Sequence, residues 1–442
     1  MRSGKAPCGA QYAVRRSGRA VAYCALSIGC GTRDETGFPA GIAHFVEHTL
    51  FRGTARRSAQ AINGYLDRLG GELNAYTTKE EIVLHATVLK EDLGKAARLL
   101  FELALEATFP PSEIETERGV VLDEIISYKD NPAEDVYDRF ESLLFAGTPL
   151  ETPILGTRTS VRRITPQLLR RFVSEKFLPS RMAFTVVADL DEALLEKRVL
   201  GFLADAFGRH CCASSEKKAD SFAEQCAPDA SAAFTGGVHC PGGASAIISA
   251  TAGQCPSGEP FHQVVDKRHH EVNAVIGGLA PSLHQMPDRL VAAMLVNILG
   301  GPASNSLLNK ELREKHGWVY GIECSYTQYA ETGVVAITFG CDRPNLEACM
   351  AAIGRILARL CETPLSEARL RSYRKQLLGQ LAIGAESGEA QCLSMGKSLL
   401  SWGAILSPEE TRRLLESVTP AQLQDMARRL FSPAALSSLI YL

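Results

Sequence analysis

The feature that most constrains this chain is an internal repeat. Pro110-Pro111-Ser112-Glu113 recurs as Pro364-Leu365-Ser366-Glu367, and each opens a long helical segment that follows another helix. Upstream, Gly70-Gly71 and a hairpin pattern (Leu73 to Thr77, then Ile82 to Val88) recur as Gly317-Trp318 with strands over 319–328 and 333–340. A chain that repeats strands and helices in one order predicts two halves of like fold. The predicted class is α+β, each half a largely antiparallel sheet with helices covering one face. With 442 residues, 45% of them hydrophobic, there is material for two such cores. The predicted division is 1–207, a linker over 208–238 where Ser, Ala, Lys, Asp and Gly dominate with little periodicity, and 239–442.

The two copies differ in chemistry. Gly41 to Phe51 reads as a helix on which His44 and His48, four apart, share a face with Glu47. Two imidazoles so placed can bind one Zn²⁺, leaving Glu47 free to take a proton from a water that the metal activates. The order H-x-x-E-H is the inverzincin signature. Read alone, these residues are also compatible with a solvated helix face. Glu117 and Glu124 lie two turns apart on one face of the helix expected at 112–129, and a carboxylate from it would give three protein ligands and an open position. The plain alternative is a surface helix rich in Glu. At the offset of the repeat, Glu117 corresponds to Arg371 and Glu124 to Leu378, and the His44 helix to Leu290–Val296, which holds neither His nor Glu. A residue set present together in one copy and absent together from the other works as a unit, so the second half is expected to have the fold without a metal site.

Composition narrows the field. A net charge of −3 offers no global basic surface for nucleic acid or an anionic membrane. No apolar run approaches the ~20 residues that span a bilayer. Thirteen cysteines without a C-x-x-C pattern predict reduced thiols, and Met1 to Gly9 has basic residues with no apolar run behind them. The expected location is the cytoplasm.

The segment Gly-Ile-Ala-His-Phe-Val-Glu-His at 41–48, then Leu50-Phe51-Arg52-Gly53-Thr54, resembles the zinc helix of the pitrilysin/insulinase family of zinc peptidases, in its mitochondrial-processing-peptidase-like branch. The segment Glu-Arg-Gly-Val-Val-Leu-Asp-Glu-Ile at 117–125 resembles that family's third-ligand segment, with 75 residues (49 to 123) between His48 and Glu124. The resemblance implies His44, His48 and Glu124 as Zn²⁺ ligands, Glu47 as general base and Glu117 as a supporting acidic group. It also implies two halves hinged as a clamshell with substrate enclosed between them. In the second half, Arg313 and Tyr320 match an Arg/Tyr pair that in the family reaches across to the zinc half and holds substrate; by themselves they read equally as a surface Arg and a strand Tyr. The stretch from Leu299 to Tyr320 is expected to be a glycine turn leading a helix, and it lacks the Lys of a phosphate loop.

An extended peptide is expected to add as a strand to the edge formed by 73–77, where the resemblance puts Asn74 and Ala75. Residues 102–151 hold 13 acidic and 3 basic side chains; lining a chamber they would favour basic peptides, and otherwise they form a solvated helical surface. The expected function is a zinc-dependent endopeptidase of flexible peptides. Because both motif sets stand in one chain, the expected assembly is a homodimer. The alternatives are a heterodimer, or a non-catalytic or partner-dependent subunit of a processing-peptidase-like complex.

Overall fold

The computed structural model describes residues 1–214, 259–268 and 270–442. Its strands form two sheets. The first holds β1 (Arg2–Lys5), β2 (Gln11–Arg16), β3 (Val21–Ile28), β4 (Glu72–Thr77), β5 (Ile82–Leu89) and β6 (Met182–Ala188), in the order β1-β2-β6-β3-β5-β4. The second holds β7 (His262–Val265), β8 (Glu271–Ala280), β9 (Val319–Gln328), β10 (Gly333–Asp342) and β11 (Ser437–Tyr441), in the order β7-β11-β8-β10-β9. Among these pairs β2/β6 and β7/β11 run parallel and the rest antiparallel, as the α+β expectation requires.

Every residue of β6 (Met-Ala-Phe-Thr-Val-Val-Ala) is buried, so the sheet needs cover on both faces. One face packs on helices of its own half, Ile42–Leu50, Leu93–Glu106 and Glu192–Ser214, around Leu26, Leu84, Leu100 and Phe184. The other face exposes small apolar residues, Ala13, Ala25 and Val187, and these are covered by Cys392, Met395 and Leu399 of helix Gly388–Trp402, which belongs to the second half. Gly396 permits this close approach, because a Cβ there would meet the Ser27 hydroxyl at 2.4 Å. The exchange is reciprocal. Helix Pro132–Leu144 of the first half lays Val136, Phe140 and Leu144 on Val275, Val334 and Leu439 of the second sheet. Cover on one face was the expectation; each sheet is covered on both, the second time by a helix of the other half.

The repeat extends to the caps. Thr165-Pro166 and Thr419-Pro420 stand at the same offset as Pro110 and Pro364, and each pair places Thr at the N-cap and Pro at the first helical position. Helix Ile42–Leu50 has its counterpart in Asp288–Gly300, and Pro111–Lys129 in Glu367–Gly384.

Two expectations change. The helix from Glu192 runs to Ser214, past residue 207, so the stretch 208–238 read as a linker begins inside a helix. Its remainder lies outside the described residues, as does 239–258. The stretch from Leu299 to Tyr320 is not one helix. A wide π-helical turn, Asn309–Lys315, ends before Gly317, whose φ of +62° breaks the helix, and Tyr320 lies in β9.

The halves also meet through their hairpin turns. Glu80 accepts a hydrogen bond from the Ala330 amide at 2.9 Å and pairs with Arg33, which in turn donates to Glu331 at 2.8 Å. The Tyr329 hydroxyl donates to Glu141 at 2.9 Å.

Candidate metal centre

The helix that carries His44 begins at Gly41, whose φ is +84° and whose Cβ, if it had one, would meet the Leu155 carbonyl at 2.7 Å. Its first amides are satisfied by a side chain from the preceding loop. The Glu35 carboxylate accepts from Gly41 N and Ala43 N, each at 2.9 Å. Burial pushes the Glu35 carboxyl up to about 8, while those amides pull the other way.

On this helix His44 is buried and His48 half-buried, and their rings meet edge to face at 4.5 Å between centroids. Helix Pro111–Lys129 crosses beside them. Glu124 Oε2 stands 3.7 Å from His44 Nε2 and 3.4 Å from His48 Nε2. One ligand atom from each of the three residues lies within 4.8 Å of the others. Two turns earlier on that helix, buried Glu117 accepts a 2.8 Å hydrogen bond from His48 Nδ1, and its other oxygen pairs with Arg52. In the neutral ring, a carboxylate on Nδ1 favours the tautomer whose Nε2 lone pair faces Glu124.

The charges follow from this packing. Burial pushes His44 down to about 4, and the neighbouring His48 adds to the shift. Burial also disfavours the His48 cation, but Glu117 and Glu124 beside it, together with Glu47, overcome that and raise it to about 9. His48 holds Glu124 below the usual carboxylate range. Burial opposes ionisation of Glu117, yet His48 and Arg52 keep it below that range too. Glu47 is raised by burial, against a 2.8 Å hydrogen bond donated by the Thr77 hydroxyl.

The donor set fits zinc. Two imidazole nitrogens and one carboxylate oxygen, with no fourth protein ligand among the described residues, are the donor types of a catalytic zinc site. Among the described residues Glu124 Oε2, the oxygen that faces both Nε2 atoms, is buried without a hydrogen-bond partner, which is costly for a polar atom that has nothing to bind.

Of the residues singled out in the sequence, the structure brings together His44, Glu47, His48, Glu117 and Glu124. Asn74 is exposed and Ala75 half-buried on β4, whose outer edge ends the sheet and which reaches the helix through Thr77. Arg313 and Tyr320 line a cavity of about 570 Å³ with Gly300, Asn309 and Cys324 of the second half and Ala133 and Val136 of the first. Tyr320 is exposed and donates to Asp342 at 2.7 Å, and among the described residues no hydrogen bond or ion pair joins either residue to the His44 cluster. Sequence reasoning did not assign Arg52, Thr77 or Glu35 to the site. Arg52, four residues beyond His48, carried a usable spacing signal; Thr77 and Glu35 meet the helix only in space.

The fold and the site define a chain of two like halves with a His-His-Glu cluster in the first that could hold a metal ion. The family model described as Insulinase (Peptidase family M16) matches residues 12–158, which contain the whole centre. The model described as Peptidase M16 inactive domain matches residues 163–377. The chain belongs to peptidase family M16. Similar proteins include one from Mycobacterium leprae, 28% identical over 405 residues (92% of this chain, 83% of that one), and one from Bacillus subtilis, 27% identical over 407 residues (92% and 89%). Both are named uncharacterized zinc protease. The fold matches the crystal structure of a protease from Helicobacter pylori, with a TM-score of 0.83 at 19% identity over 100% of this chain and 99% of that one. It also matches a peptidase M16 inactive domain from Pseudomonas fluorescens, with a TM-score of 0.80 at 17% identity over 100% and 97%. Among the described residues no helix is long and apolar enough to cross a membrane.

Proposed function

We propose that the chain is a zinc-dependent endopeptidase that hydrolyses flexible peptides enclosed between its two halves. The observation that carries this reading is the convergence of His44, His48 and Glu124 from two helices, with Glu47 beside His48 and free of a ligand role. Zn²⁺ held by those three residues would supply a Lewis acid that polarises the scissile carbonyl and acidifies water. Glu47 takes the proton from the attacking water and passes it to the leaving amine. The burial that raises its carboxyl suits a group that must both take and return a proton. Glu117 holds the ring of His48 in the orientation that points Nε2 at the site.

The free edge of β4 presents backbone N–H and C=O groups to an extended chain, with Asn74 and Ala75 in the pairing register. This mode admits unfolded or flexible segments. Arg313 and Tyr320, on the opposite half, would supply a guanidinium and a phenol as donors to substrate carbonyls. Wherever the acidic excess over 102–151 lines the space between the halves it would favour basic peptides, and elsewhere it forms a solvated surface. Because one chain holds both sets, we assign it to a homodimer, and we place it in the cytoplasm. The test is mass spectrometry of products from mixed flexible peptides, with and without chelator, beside light scattering for the assembly. Internal cuts lost with chelator and regained with zinc support the reading; cuts indifferent to chelator contradict it.

A further inference from the structure

Glu47 is a flexible side chain whose work depends on where its carboxylate points. Among the described residues its carboxylate accepts one hydrogen bond, the 2.8 Å bond from Thr77 Oγ1. Thr77 closes β4, the edge strand, and its backbone is registered against Ile82 of β5. The turn that follows is fixed at every residue. Thr78 accepts from the Thr32 amide at 3.3 Å and Lys79 from the Arg33 amide at 3.0 Å. The buried Lys79 ammonium donates to the Leu150 carbonyl at 2.6 Å, and Glu80 reaches the Ala330 amide of the second half. Thr77 is therefore a rigid donor set at the end of a flexible acceptor. Its strand neighbours at 74 and 75 face the proposed substrate edge.

We propose that Thr77 is a positioning residue that holds Glu47 in the orientation needed for proton transfer and so ties the base to the strand on which substrate docks. This rests on the peptidase reading above. A base must sit within hydrogen-bond reach of the proton it takes, and such a group needs a locked partner to stay there. A strand-end threonine with a fixed backbone provides one. Zinc content should not depend on it, since among the described residues no hydrogen bond joins Thr77 to His44, His48 or Glu124.

The experiment compares zinc-loaded wild type, Thr77→Val and Thr77→Ser by peptide cleavage kinetics, zinc content and crystal structures. Valine keeps the β-branched shape and strand preference and removes only the donor. It should lower kcat roughly tenfold, with KM and zinc content unchanged, as loss of an interaction made in the transition state requires. Its crystal structure should show the Glu47 carboxylate displaced or in more than one orientation. Serine, which restores the hydroxyl, should return kcat to within about threefold of wild type and the carboxylate to its place. A Glu47 carboxylate that stays put in Thr77→Val, or an unchanged kcat, overturns the assignment. If wild type binds zinc but cleaves no peptide, the peptidase reading falls by itself, and the crystallographic comparison still decides whether Thr77 positions Glu47.

Discussion

Truncating Phe140 to alanine should loosen the second half of the molecule, although Phe140 belongs to the first. Its ring is fully buried between helix Pro132–Leu144 and the second sheet, in one cluster with Val275, Val334 and Leu439 and with the Phe261 ring centroid 5.4 Å away. Removing such a ring forfeits its transfer free energy and leaves a cavity the strands cannot close, at a cost of about 3–5 kcal/mol. Against a typical domain stability of roughly 5–15 kcal/mol this is a large share. The mirror change, Leu399→Ala in helix Gly388–Trp402, removes a fully covered side chain from the first sheet and should cost about 2–5 kcal/mol. Hydrogen exchange read by mass spectrometry separates the consequences. Phe140→Ala should speed exchange in β8 and β11, and Leu399→Ala in β3 and β6, each on the sheet of the other half. Faster exchange confined to residues 132–144 in Phe140→Ala, with β8 and β11 as protected as in wild type, would refute the interlocked packing.

Glu117→Gln should weaken zinc binding by about 10–100-fold, because an amide no longer offers two anionic oxygens to His48 and Arg52; competition with a chromogenic chelator measures it. Glu35 gives a pH signature. Its carboxyl stands at about 8 in the folded chain against an ordinary 4.5, so between those values the folded state binds more protons than the unfolded one. Stability from this group is therefore complete below about 4.5 and is lost as pH rises through about 8. Denaturation across that window should show wild type losing its advantage over Glu35→Gln as pH rises, and parallel curves would contradict the burial argument.

Much of this architecture was legible in one sequence because duplication and metal chemistry both leave spacing signals. The i, i+4 pair His44/His48 and the Glu117/Glu124 pair each define a helix face, and the two helices are adjacent, so the cluster could be assembled from linear patterns. That much was legible from local spacing. The helix exchange was not. Nothing local distinguishes Phe140 packing on its own half from Phe140 packing on Val275, because the amphipathic pattern shows which face is buried and not against what. The wide turn at Asn309–Lys315 was missed because its composition is that of an ordinary helix, and Gly317 marks the end without marking the pitch. Thr77 and Glu35 act through the tertiary fold, 30 residues from Glu47 and 8 from Ala43, and no period connects them.

The proposed role of Glu47 is that of the base beside a zinc held by His44, His48 and Glu124. It is tested most directly by comparing wild type with Glu47→Gln, each assayed for bound zinc and for products from the same flexible peptides. Both proteins should hold zinc to the same extent, and only wild type should make internal cuts. Equal cleavage by Glu47→Gln, or zinc-loaded wild type that leaves every peptide intact, would contradict it.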